Sequence, residues 1–505
     1  MTAKTLMIQG TASSVGKSIV VTALCRIFHQ DGYKVAPFKA QNMALNSFVT
    51  REGGEIGRSQ VVQAEAAGIE PSVDMNPVLL KPQADATSQV IVLGKATKTM
   101  EASQYYKYTP YLKDIVMKSL NQLRSENDIV IIEGAGSPAE INLKEREIVN
   151  MWVARTTDTP VFLVGDIDRG GVFASIVGTL ELVNKEERDL IKGIIINKFR
   201  GNLNLLKPGL KFLEDKTGKP VLGVLPYYRD IIIAQEDSVY LDERSISSDI
   251  NGVDVAVIRL PRISNYDDFD PLETNDCTVR YITKEAELGN PDLIILPGTK
   301  STIADLVYLR KKGLAKAIIR LAQAGTPIIG ICGGYQMLGK IINDPDKVES
   351  KEGTVPGLGL LDIETIFEPA KKTSQITAKV ANYSGLLSGQ TDVEITGYEI
   401  HMGQTKNQKC PPAFKIIETP EGKADYIDGA VSTSQLIFGS YIHGLFHNTK
   451  FTDTLLNQLR KHHGIPSSTT ASVNKDAQYD KLADVARQSL NIPQIYDITL
   501  GVKHE

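Results

Sequence analysis

The sequence predicts an α/β protein of two parallel-sheet domains, the first of them doubly wound. Three observations carry this. Short apolar runs that read as buried strands alternate with helical segments along the first 226 residues, which is the signature of a parallel sheet. Gly10-Thr-Ala-Ser-Ser-Val-Gly-Lys-Ser18 joins the first such strand to an apolar helix, expected over residues 19–28. Much later, Ile328-Ile-Gly-Ile-Cys-Gly-Gly-Tyr335 places one cysteine, Cys332, in a glycine-rich turn between a buried strand and a helix.

Composition narrows the class. The chain has 505 residues, enough for two or three domains, and 42% hydrophobic residues support sizeable cores. A net charge of -4 indicates no general polyanion surface, so nucleic acid is not an expected partner. Four cysteines without metal-ligand spacing speak against a disulfide framework and fit a reducing compartment. The first residues show no signal-peptide apolar region, and no apolar run reaches the ~18 residues of a membrane span. A cytoplasmic location without membrane association is therefore expected.

Taken in order, the glycine loop is a phosphate cradle. Gly10, Thr11 and Gly16 bring backbone N–H groups and a helix N-terminus to an anion, Lys17 reaches the phosphates, and Ser18 can ligate Mg²⁺. Strand 35–38 then leads into a polar loop with Lys39, Gln41, Asn42, Asn46 and Ser47, at the sheet edge where ligands bind. These are candidate substrate contacts. Glu55 is a candidate second Mg²⁺ ligand. Asp128-Ile-Val-Ile-Ile-Glu133 is a buried strand ending in a carboxylate placed to hold Mg²⁺. The next strand ends in Asp166-Ile-Asp-Arg169, whose Asp166, Asp168 and Arg169 suit a metal, phosphate or carboxylate substrate. Asn197, after a further strand, can donate to and accept from an adenine edge. Residues 227–251 turn polar, and the domain boundary is expected there.

The second domain opens with strand 253–261. The acidic loop Tyr266-Asp-Asp-Phe-Asp270 follows; its Asp267 and Asp268 are candidates for contacts near the domain interface. Asp292-Leu-Ile-Ile-Leu-Pro-Gly-Thr-Lys-Ser301 is a strand ending in a glycine loop. Cys332 follows it, and His443 stands just after the strand at 437–442. A cysteine and a distant histidine brought together by folding make a nucleophile–base pair. His401 is a rival base. His447, His462 and His463 belong to no constellation and are expected on the surface. The amphipathic stretch 479–490 is expected to pack on the surface or to support association into a homo-oligomer.

These segments resemble known families. The first loop matches Gly-Thr-x-x-x-x-Gly-Lys-Ser/Thr of dethiobiotin synthetase-like ATPases; the signature lysine of partition ATPases is absent, since Ala12 stands at its position. The Leu296-Pro-Gly-Thr-Lys-Ser301 loop, Cys332 and Tyr441-Ile-His443 resemble a class I (triad-type) glutamine amidotransferase domain. That resemblance implies Cys332 as nucleophile, His443 rather than His401 as base, and oxyanion donors at Gly298 and Gly333. The usual family glutamate two residues after the histidine is replaced by Leu445, so Cys332 and His443 are expected to work as a dyad, with His443 oriented by backbone or a neighbouring loop. The combination, together with Phe38-Lys-Ala-Gln-Asn-Met-Ala-Leu-Asn-Ser47, Asp166-Ile-Asp-Arg-Gly-Gly171 and Ile263-Ser-Asn-Tyr-Asp-Asp-Phe-Asp-Pro-Leu272, resembles the cobyric acid synthase family over nearly the full chain.

The resemblance implies a synthetase domain at 1–235, a linker at 236–251, an amidotransferase domain at 252–455 and a C-terminal helical segment at 456–505. It implies ATP and Mg²⁺ as cofactors, and glutamine and adenosylcobyrinic acid a,c-diamide as small-molecule partners. The activity implied is amidation of the b, d, e and g carboxylates, each with one ATP and one glutamine, through acyl phosphates. A water-poor ammonia path between the domains is expected. Cobyrinic acid a,c-diamide synthase shares both domains, but residues 38–47 and 166–171 favour the first family. The lipid II amidotransferase of cell walls lacks the long ATPase domain. A non-catalytic P-loop switch ATPase with a degenerate amidotransferase module would have no glutaminase activity.

Overall fold

The computed structural model describes residues 2–84, 86–228, 231–234, 252–274, 277–350, 352–468 and 474–501. The expected linker at 236–251 lies outside them.

The first domain is a six-stranded, all-parallel sheet in the order Val221–Pro226, Ile191–Phe199, Val161–Asp166, Lys4–Gly10, Ile129–Glu133, Val35–Phe38. Both faces are covered, so the strands are near-continuous runs of Ile, Val and Leu with almost every residue buried. The chain order reverses on either side of Lys4–Gly10, and ligands of such sheets bind outside the carboxyl ends at that point. The helix Lys17–Gln30 begins there, two residues before the expected start.

A four-stranded sheet lies beyond that edge: Gln41–Met43, Val78–Ala84, Thr87–Val92, Lys95–Glu101. Strand Gln41–Met43 arises from the loop read as polar and irregular, and its pairing with Val78–Leu80 was not legible in its short polar sequence.

The second domain holds another largely parallel sheet, ordered Cys277–Ile282, Val253–Ile258, Leu293–Leu296, Ile328–Ile331, Ile437–Ser440, Ala430–Val431. A seven-stranded sheet built on the long strands Ile363–Val380 and Glu394–Asn407 packs with it around one core. The helix Thr449–His462 buries Leu455, Leu456 and Leu459 in that core.

The C-terminal residues differ from the surface segment expected. The helix Lys475–Ser489 buries Leu482, Ala483 and Ala486 in the core of the first domain, beside the helix that follows the phosphate loop. Arg26 ties the two helices by pairing with Asp480 at 2.7 Å. The chain thus leaves the first domain, builds the second, and returns to finish the first. Among the described residues no helix is long and apolar enough to cross a membrane.

Candidate active site

Two centres form, one at each sheet's carboxyl edge. In the first, the loop's glycines are required by space and by backbone. A Cβ on Gly10 would stand 2.5 Å from Val15 Cγ2, and Gly16 has φ 98° with Asn197 Nδ2 2.0 Å from where its Cβ would be. Lys17 Nζ donates to the carbonyls of Ala12 and Gly136 at 3.0 and 3.1 Å, which holds it over the loop. Ser18 Oγ donates to Glu133 Oε1 at 2.9 Å. This hydroxyl–carboxylate pair is a hard-oxygen donor set beside a phosphate cradle, and such a set fits Mg²⁺, which takes few protein ligands and completes its shell with water and phosphate oxygens.

Glu133 is fully enclosed. Burial opposes its charge, yet Lys39, 2.8 Å away, together with Gln63 and Lys17, holds its carboxyl below the usual carboxylate range. Gln63 Nε2 donates to Glu133 Oε2 at 2.5 Å. Gln63 had no signal in the sequence beyond its place on the helix Arg58–Ala66. Lys39, expected among substrate contacts, is instead first a counter-ion to Glu133.

A cavity of about 950 Å³ opens from this point. Gln41, Asn42, Asp166, Asp168, Arg169 and Asn197 all line it, with Lys17, Ser18, Lys39 and Glu133. Asp166 pairs with Lys198 at 2.9 Å and Asp168 with Arg200 at 2.8 Å, so each acid has a basic partner within the chain. Three expectations are corrected. Asn197 donates its amide to Val15 O at 2.8 Å, so it braces the phosphate loop, and only its buried Oδ1, with no hydrogen-bond partner, remains to meet a base. Asn46 is buried and does not line the cavity; its carbonyl accepts from Arg58 N. Glu55 is not near Ser18: it is buried at the domain interface, paired with Lys81 and with Lys371 of the second domain.

In the second centre, Cys332 has φ 50° and ψ -108°, a left-handed conformation rare for a side chain and characteristic of a nucleophile elbow. The elbow fits only because its neighbours lack side chains: a Cβ on Gly334 would stand 2.0 Å from Leu296 O, and one on Gly330 2.8 Å from Tyr335 N. Cys332 N donates to Ser440 O at 2.8 Å, fixing the elbow to the strand that leads to His443. Gly333 opens the helix Gly333–Leu338, and a Cβ on it would lie 3.2 Å from Thr299 N, so the Gly298–Thr299 turn faces the elbow. A Cβ on Gly298 would lie 2.9 Å from His443 Cε1.

The dyad expectation is corrected by Asp268. Its Oδ2 stands 2.7 Å from His443 Nδ1, and its Oδ1 accepts from Gly444 N at 2.7 Å. A carboxylate on Nδ1 fixes that nitrogen as the protonated one and turns Nε2 toward the sulfur. Burial alone would lower the His443 pKa; the charge and hydrogen bond of Asp268, with a hydrogen bond to Cys332, raise it to about 10. The third position is thus filled from the loop after the domain's first strand. The acidic run 267–270 was its only trace in the sequence.

His401 is not a rival. Its Nδ1 bonds to Gly403 O at 2.8 Å, its ring stacks on Tyr441 at 3.7 Å, and burial lowers its pKa to about 4. His447, expected on the surface, is half-buried and bonds through Nε2 to Asp267 O at 3.0 Å.

The two centres are joined by buried contacts, among them one at Asp267, a residue expected near the domain interface. Arg58, from the helix that carries Gln63, pairs with Asp267 at 3.1 Å. Tyr398 stacks on His443 at 5.3 Å and donates its hydroxyl to Ser47 O at 3.2 Å. Asn265 Oδ1 accepts from Ser47 N at 3.2 Å, and its Nδ2 donates to Tyr398 Oη at 3.0 Å.

Comparison with known proteins agrees with both halves. Residues 6–239 match the CobQ/CobB/MinD/ParA nucleotide binding domain, and residues 254–451 match the CobB/CobQ-like glutamine amidotransferase domain. The chain is 60% identical over 496 residues to a cobyric acid synthase of Dehalococcoides mccartyi (strain CBDB1), covering 98% of this chain and 99% of that one. It is 52% identical to one of Sorangium cellulosum, covering 97% and 98%, and 51% identical to one of Desulforamulus reducens, covering 98% of each. The chain belongs to the cobyric acid synthase family, glutamine-dependent, ATP-using ligases that carry out amidation in cobalamin biosynthesis.

Proposed function

We propose that this chain converts adenosylcobyrinic acid a,c-diamide to adenosylcobyric acid by amidating its b, d, e and g carboxylates, one ATP and one glutamine per amide. The observation that carries the reading is the coexistence, in one chain with full-length cobyric acid synthase relatives, of a phosphate loop contacting Glu133 and a buried Cys332–His443–Asp268 constellation. The corrinoid brings its own cobalt as part of the substrate.

The chemistry follows from the residues. A carboxylate is a poor acyl donor, and transfer of the γ-phosphoryl group gives an acyl phosphate with a good leaving group. Lys17, held at the loop by two carbonyls, offsets charge as that group moves. Mg²⁺ bound at Ser18 and Glu133 would supply further neutralisation of the phosphates. In the second centre Cys332, deprotonated by His443, attacks the side-chain amide of glutamine. The resulting oxyanion faces the N–H groups of Gly333 and of the Gly298–Thr299 turn. His443, held by Asp268, gives its proton to the amide nitrogen as the C–N bond breaks, so that nitrogen leaves as NH₃, and water then releases glutamate from the thioester. Ammonia attacks the acyl phosphate as NH₃, because NH₄⁺ has no lone pair.

The test uses corrinoid substrate carrying oxygen-18 in its carboxylates. Each amide formed is expected to leave one labelled oxygen in the released phosphate. Unlabelled phosphate alongside amide formation would overturn the acyl phosphate step. Labelled phosphate with cobyrinic acid, and none with the a,c-diamide, would move the assignment to the a,c-diamide synthase.

A further inference from the structure

The cavity at the phosphate loop and the pocket at Cys332 share one wall, the strand Val78–Ala84. Successive side chains of a strand point to opposite faces. Leu80 and Pro82 line the phosphate-loop cavity, while Lys81 and Gln83 line the Cys332 pocket with His443. One strand's thickness therefore separates the source of ammonia from the place where it is used.

The wall has a weak point. On one side the strand pairs with Thr87–Val92 along its length. On the other, among the described residues, its pairing with Gln41–Met43 stops at Met43↔Leu80, followed by one bond from Ala44 N to Leu80 O. Beyond Leu80 no further ladder pairing of that edge is formed among the described residues; Ser47, which opens the short strand Ser47–Val49, meets it only through the Lys81 side chain. Here Lys81 Nζ donates to Ser47 Oγ at 2.7 Å and pairs with Glu55, and Ser47 Oγ donates to Glu55 Oε1 at 3.0 Å. Lys371 of the second domain closes the cluster on Glu55. Ser47, Glu55 and Lys81 are at most 4% exposed, and the Lys371 side chain is 11% exposed.

We propose that nascent ammonia crosses from the Cys332 pocket to the phosphate-loop cavity over this edge, between Leu80 and Lys81, and that Lys81 seals the edge against bulk water. The inference rests on the amidotransferase reading above and assigns its route. The charges around the crossing suit NH₃ and oppose NH₄⁺. Lys81, Lys371 and Lys300 converge on the pocket, and an ammonium entering among them would meet the ammonium groups of Lys81 and Lys371 against the single carboxylate of Glu55. The same physics acts on Lys300, whose pKa is pushed down to about 7 by burial and by Lys371 and Lys81. Lys81 and Lys371 keep their own partner in Glu55, so the seal is an ion cluster shared by both domains and depends on their docking.

The test supplies the full-length enzyme with ATP, Mg²⁺, corrinoid a,c-diamide, nitrogen-15 amide-labelled glutamine and an excess of unlabelled ammonium. Wild-type product is expected to keep the glutamine label. In Lys81→Met the labelled fraction of the product is expected to fall about tenfold, read as a ratio to the glutamate that the same variant releases, so that a change in glutamine hydrolysis itself is divided out. Wild-type labelling in Lys81→Met with both half-reactions intact would overturn the proposal, and so would dilution in the wild type. If Lys81→Met loses both half-reactions, Lys371→Met decides by the same ratio. A wild-type enzyme lacking glutamate release would instead remove the amidotransferase reading, and the route with it.

Discussion

Asp268→Asn is expected to lower glutamine hydrolysis by about 10³- to 10⁴-fold while ammonia-supported amidation stays within about twofold. The reason is the tautomer. Asp268 Oδ2 can only accept, so it keeps the proton on His443 Nδ1 and leaves Nε2 for the sulfur. An asparagine turned to keep its carbonyl on Gly444 N would offer an N–H to Nδ1 and favour the opposite tautomer. The pH profile gives a second signature. With Asp268 the protonated imidazole persists until about pH 10, so the alkaline limb set by His443 lies there. Without the carboxylate's charge the folded pKa drops, and that limb moves to lower pH. Glutamate release measured across pH checks both. A loss under tenfold with an unmoved limb would return the centre to a dyad.

Glu133→Gln carries the other large effect. Amidation is expected to fall by about 10²- to 10³-fold with either glutamine or ammonia as the nitrogen source, because Ser18 loses its carboxylate neighbour at the phosphates. Stability is expected to fall too, by about 3 kcal/mol, since the ammonium of Lys39 stays buried beside a neutral amide. A double variant with Lys39→Met separates the effects: it should regain much of the stability and none of the activity. Thermal unfolding and amide formation, measured on all three variants, decide. Full activity in Glu133→Gln would remove this carboxylate from the phosphate site.

What the sequence made legible follows from range. The phosphate loop and the cysteine elbow are local: their spacing, glycines and flanking apolar runs lie within a dozen residues, and the strands around them read as continuous Ile, Val and Leu. Glu133 was readable for the same reason, as a carboxylate closing an apolar strand. The misreadings were long-range. Glu55 has a metal ligand's chemistry but is claimed by Lys81 and Lys371, the latter 316 residues away. Asn197 could read a base from its place in the strand order, but its amide is taken by Val15. Asp268 reaches His443 across 175 residues, and no periodicity marks such a pairing. The tail's amphipathic pattern was visible, but the surface it covers is set by the first domain's helix Lys17–Gln30, at the opposite end of the chain.

The most direct test of the central claim is mass spectrometry of corrinoid products after incubation with ATP, Mg²⁺, glutamine and cobyrinic acid a,c-diamide, with glutamate and phosphate counted alongside. The account predicts a ladder of products, each step one carboxylate turned to amide, that stops at four, with one glutamate and one phosphate released per step. Glutamate and phosphate released with the a,c-diamide unchanged would contradict it.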